Sequence, residues 1–84
     1  MPGVNKPQIL DLRSQSLSEQ QLLARSDLVE QDVLDIEGIA LSDRGLSRLR
    51  GLRKLKRLVV KGCGVSPEAV FRLQQALPDV WIWQ

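Results

Sequence analysis

The residues of this chain that could do chemistry are few and grouped. Asp35 and Glu37 stand two apart, which puts both carboxylates on one side of an extended segment. Paired carboxylates can divide acid and base roles, but no further catalytic element accompanies these two, so acid–base catalysis is not expected. Cys63 is the only cysteine. It can form no disulfide within the chain and contributes to no thiol cluster for a metal. A reactive thiol needs exposure and thiolate character, for which Lys61 nearby in sequence is thin support. Cys63 therefore reads as structural. Histidine and tyrosine are absent, which removes His-based triads and nearly all transition-metal sites. The expectation is a chain that is not an enzyme and uses no cofactor or metal.

Binding chemistry is better represented. Val80-Trp81-Ile82-Trp83 alternates in the manner of a strand, with Val80 and Ile82 inward and both indoles on the opposite face. Each indole buries roughly 200 Å² when covered, and tryptophan is enriched where binding energy concentrates. The two rings serve either as a contact surface or as a cap over the end of the fold. The densest charge cluster is Arg50, Arg53, Lys54, Lys56 and Arg57. It reads as a solvated edge with helix-dipole pairing, as a surface for an acidic protein, or as an anion site. As a nucleic-acid signal it is weak, because the cluster has no aromatic, no glycine-rich loop and no known binding motif. Nucleic acid is accordingly the less expected partner.

The elements that position these residues follow a fixed interval of 24. Leu10, Leu34, Leu58 and Ile82 form one series, and Leu12, Ile36 and Val60 a second. Leu17, Leu41 and Val65 form a third, each followed by a hydroxyl at Ser18, Ser42 and Ser66, and Leu22, Leu46 and Val70 a fourth. Periods of this length mark units that bury their apolar edges by stacking. Each Leu-x-Leu core is a short inward-facing strand, and a helix must return the chain to the start of the next parallel strand. Ser66-Pro67-Glu68, Ser42-Asp43 and Ser18-Glu19 supply helix starts. The first helix is expected to be the least regular, because Arg25 stands where Leu49 and Leu73 stand. The last strand has two possible registers, with Ile82 beside Leu58 or beside Val60.

Leu55 to Val65 fits L-x-x-L-x-L-x-x-N/C-x-L with Cys63 at the N/C position, and Leu41-Ser-Asp-Arg-Gly-Leu-Ser-Arg-Leu49 matches the second half of such a unit. These segments resemble the leucine-rich-repeat family, in its ribonuclease-inhibitor-like and cysteine-containing subtypes and its short bacterial members. The resemblance covers roughly residues 7–83. Gln31 and Pro7 depart from it at first-Leu positions, and Ile39 and Gln15 at the N/C position. It implies an α/β fold: a right-handed solenoid of about three and a half strand–helix units with a parallel sheet on the concave side. It also implies a non-enzymatic module for protein–protein contacts. The concave face would present Asp11, Arg13, Asp35, Glu37, Val59, Lys61, Trp81 and Trp83, with Arg13, Glu37 and Lys61 side by side. That row reads as a solvated charge ladder or as part of a recognition surface.

Composition bounds the rest. The 84 residues are 43% apolar and 26% charged, ordinary values for one globular domain near the lower size limit. Residues 1–6 read as a flexible arm and 7–84 as the domain. Residues 1–43 carry eight acids against three bases, net −5, and residues 44–84 nine bases against two acids, net +7. If sequence order is spatial order, the molecule has an acidic end and a basic end. No apolar run reaches the length of a membrane span and no signal-peptide core opens the chain, so the expected setting is cytoplasmic, without membrane contact. Neither end carries a polar cap, so self-association, or packing beside another protein, is expected.

Overall fold

The computed structural model describes residues 6–13 and 15–84. Apart from Lys6, the arm expected over residues 1–6 lies outside the described residues. Among the described residues the chain is α/β. Its order is β1 (Ile9–Asp11), α1 (Glu19–Leu23), β2 (Val33–Asp35), α2 (Asp43–Ser47), β3 (Arg57–Val59), α3 (Pro67–Ala76) and β4 (Trp81–Trp83). Short 3-10 helices follow α1 at Ser26–Glu30 and α2 at Arg48–Gly51. The four strands form one parallel sheet in sequence order.

The 24-residue interval becomes lateral adjacency. Leu10, Leu34, Leu58 and Ile82 are register partners across the sheet. Backbone bonds recur at the same step: the Leu12 amide donates to the Asp35 carbonyl (2.9 Å), Ile36 to Val59 (3.1 Å) and Val60 to Trp83 (2.8 Å). Of the two registers open for the last strand, the one beside Leu58 is formed. The reason is local. The Gln74 side-chain amide donates to the carbonyls of Leu77 (3.0 Å) and Val80 (2.7 Å), and the Val80 amide donates to Leu77. This ties the end of α3 to the approach of β4.

Inward side chains of strands and helices meet in one core. Leu34, Leu58, Leu12, Ile36, Leu22, Leu46, Leu49 and Leu73 are all buried in it. Each such side chain contributes about 1.5–3 kcal/mol by leaving water. The outer members of the apolar series, Leu10, Leu17, Val65 and Ile82, are half-buried because they pack at the flanks of the sheet. Gln31 stands where Leu55 stands one interval later, yet only 8% of it is exposed. Its amide donates to the Asp27 carbonyl (3.0 Å), which lets a polar side chain occupy an apolar slot.

Helix starts lie where the hydroxyl series puts them. Ser18, Ser42 and Ser66 are N-caps whose hydroxyls accept from the amides of Gln21, Gly45 and Ala69. Ser18 and Gln21 complete a reciprocal capping box. The first helix is five residues long, no shorter than α2, and both are followed by a 3-10 helix; what sets the first apart is the break at Ala24 and Arg25 before its 3-10 helix. Arg25, at the position of buried Leu49, is only half-buried and pairs with Asp27. A charged side chain there cannot extend the apolar stripe.

Candidate interaction surface

The helices cover one face of the sheet, and the other face carries the alternate strand residues. Two rows cross it. Ile9, Val33, Arg57 and Trp81 are register partners, as are Asp11, Asp35, Val59 and Trp83. Trp81 is 63% exposed and Trp83 46%, with ring centroids 5.8 Å apart and planes at 35°. Ile9 is 62% exposed at the opposite edge. Ile9 and Val33 had no place among the expected face residues, although each stands one interval step from the next member of its row.

Arg13, Glu37 and Lys61 lie just past the strands rather than on them, in exit turns that keep the same step, with the Gly38 amide donating to the Lys61 carbonyl (2.9 Å). The strands end at Asp11, Asp35 and Val59, and the three residues lie in the turns beyond them. Pairing there runs both along the chain and across to the next strand. Arg13 grips Asp11 through Nε–Oδ1 (3.0 Å) and Nη2–Oδ2 (2.8 Å), and its Nε lies 3.4 Å from Asp35 Oδ2. The aspartates also shape the turns, because Asp11 Oδ1 accepts the Arg13 amide and Asp35 Oδ1 the Glu37 amide. Hydrogen bonds from Arg13 hold the Asp11 carboxyl below its ordinary value. The acids at β1 and β2 are thus largely satisfied within the molecule.

The cations of the second half are not. Among the described residues, all three ion pairs use Arg13 or Arg25. Arg50, Arg53, Lys54, Lys56 and Arg57 are all exposed. Lys6, Arg53, Lys54 and Lys56 line one open cleft at the entry ends of the strands, with Pro7, Gln8 and Asp32. Asp32 is its single acid, and its Oδ2 accepts the Gln8 amide (2.9 Å). The cluster that is aromatic-free in sequence is not so in space: Arg57 is the register partner of Trp81, whose amide donates to the Lys56 carbonyl (2.8 Å).

The expected acidic and basic ends are reduced to a shallow gradient. The −5/+7 division falls inside α2, between Asp43 and Arg44. Counted by strand–helix segment, residues 6–30 hold four acids and three bases, 31–54 four and five, and 55–84 two and four. Charge separates across the middle segment instead. Asp32, Asp35 and Glu37 lie on or beside β2, and from Arg44 onward the bases Arg44, Arg48, Arg50, Arg53 and Lys54 run from α2 to the approach of β3.

No protein-family model, curated protein or solved structure matches this chain. The surface is read from its own geometry.

A link between helix starts gave no sequence signal beyond residue type. Glu19 Oε1 accepts from the Ser42 amide (2.6 Å) and hydroxyl (2.9 Å). The Asp43 carboxylate accepts from the Ser66 amide and hydroxyl, both at 2.8 Å. These bonds hold both carboxyls below their ordinary values. Cys63 is buried and its Sγ–H donates to the Ile36 carbonyl (3.0 Å). Burial pushes its thiol up, so the site opposes thiolate chemistry. Among the described residues, no three His, Cys, Asp or Glu side chains gather to hold a metal ion, and no helix is long and apolar enough to cross a membrane.

Proposed function

We propose that the chain is a leucine-rich-repeat-type solenoid, right-handed and about three and a half units long, that works as a non-enzymatic protein-interaction module. The parallel sheet in sequence order and its uniform 24-residue register support the architecture. One observation carries the functional reading: the sheet face away from the helices is uncovered and carries Trp81 and Trp83 exposed side by side. Exposed aromatic pairs on a rigid sheet are suited to anchor a partner. Asp11, Arg13, Asp35, Glu37, Val59 and Lys61 supply the polar surround. Self-association through the flanking strands β1 and β4 belongs to the same reading.

The test is affinity capture with quantified partner recovery, backed by light scattering for self-association. Trp81→Ala with Trp83→Ala is compared with Phe71→Ala, an exposed aromatic on α3. Loss of partner in the sheet-face variant alone is expected. Equal recovery by both variants would remove the sheet face from the interaction.

A further inference from the structure

We infer that the entry rim of the sheet, together with Trp81 and Trp83, is a binding site for single-stranded nucleic acid. The site takes its stacking surface, the two indoles, from the face of the protein-binding reading and its cations from outside that face. Three features of the surface converge on this ligand.

The first is charge. Lys6, Arg53, Lys54 and Lys56 line one cleft, although Lys6 is far from the others in sequence. Bringing four cations together is unfavourable unless an anion offsets their repulsion. The one acid of the cleft, Asp32, already accepts a backbone amide. Arg57 continues the track onto the sheet face. A phosphate backbone matches such a row, with release of its counterions as the driving term.

The second is the stacking surface beside that track. Trp81 neighbours Arg57 in register and is hydrogen-bonded to Lys56 through the backbone. Trp83 lies 5.8 Å from it with its plane turned by 35°. Both rings are exposed and close together, an aromatic surface on which bases can stack. A cationic groove with aromatic faces alongside is the combination that holds single strands without sequence readout. An acidic protein segment would meet the charges, and a polyanion without bases would leave the indoles unstacked, which the comparison with polyglutamate separates.

The third is what the surface lacks for a duplex. The sheet face is built from three-residue strands and projects no helix or β-ribbon to enter a groove. Bases stacked inside a duplex are out of reach of the indoles. The nearby acids Asp11 and Asp35 are engaged by Arg13, which limits their repulsion of phosphate.

The whole chain is titrated with a twelve-nucleotide oligothymidylate, read by tryptophan fluorescence, at about 20 mM and about 200 mM salt. Quenching is expected, with log K falling about 2–4 units per log unit of salt for the cations engaged. Trp81→Ala weakens binding by about five- to a hundredfold, and Trp81→Phe, which keeps a ring, weakens it less. Lys54→Glu with Lys56→Glu weakens binding and flattens the salt slope, with the thermal midpoint showing that both variants stay folded. Any of four results would overturn the inference: no quenching at low salt, equal affinity for polyglutamate of matched charge, equal affinity for a duplex of the same length, or no effect of Trp81→Ala.

Discussion

Glu19 and Gly45 show how one residue's tolerance is set by another that sequence places far away. Glu19 reaches across to cap Ser42, and a methyl group on Gly45 would land on the Glu19 carboxylate. Alanine normally stabilises a helix interior over glycine by about 0.5–1 kcal/mol. Here it must displace the bridge. Gly45→Ala should therefore stabilise a Glu19→Ala background by about that amount and fail to stabilise the wild type. A thermal double-mutant cycle measures this, and additive effects would show that the bridge is not coupled to Gly45. The pH dependence carries the same signature. The Glu19 carboxyl is depressed in the folded chain by its bonds to Ser42, so its contribution is present above the ordinary carboxyl range and is lost as pH falls through about 4 and on to the folded value. Gly45→Ala and Glu19→Gln should each make the acid limb of the stability curve shallower. Asp43, bridged in the same way to Ser66, leaves part of that limb in place.

At the element scale, the strands are three residues long and cannot stand alone. They persist because the 24-residue step aligns their leucines into one core. Position within the sheet then decides what each leucine is worth. Leu58 is fully buried between neighbouring strands, whereas Leu10 on β1 is half-buried. Leu58→Ala should cost about 2–5 kcal/mol, a large share of the roughly 5–15 kcal/mol typical of a domain. Leu10→Ala should cost clearly less. Urea denaturation of the two variants checks the order, and equal losses would mean that the edge strand is packed as tightly as the centre. The register of the first three strands and the three capping serines were legible beforehand, since both rest on residue type at a fixed interval, whereas the register of the last strand was open between Leu58 and Val60. The outward side of Ile9 follows from the same alternation, beside inward Leu10, and at the sheet edge it is exposed.

For the molecule as a whole, Cys63 reports cooperativity. It is buried within the single core, bonded to Ile36, and its thiol is pushed up by that burial. A thiol reagent should label it slowly in native buffer and faster as urea populates the open chain, in step with loss of the far-ultraviolet dichroism signal. Labelling at free-thiol rates without denaturant would mean that the third segment opens alone. The charge distribution is also a whole-molecule property. Halving the sequence suggested two ends of opposite sign, but the fold places the dividing point inside α2, so the contrast runs across the middle segment from strand to helix.

The apolar series were enough by themselves to define which residues lie side by side in the first three strands, because burial repeats wherever the period repeats. Side-chain meetings between segments needed the tertiary structure. The approach of Lys6 to Arg53, Lys54 and Lys56, the placing of Trp81 beside Arg57, and the reach of Glu19 to Ser42 depend on turn geometry, helix length and the seating of the last strand. None of those is encoded in the type of any single residue. That is why the core could be read from the chain, while the arrangement of its binding surface was decided only on folding.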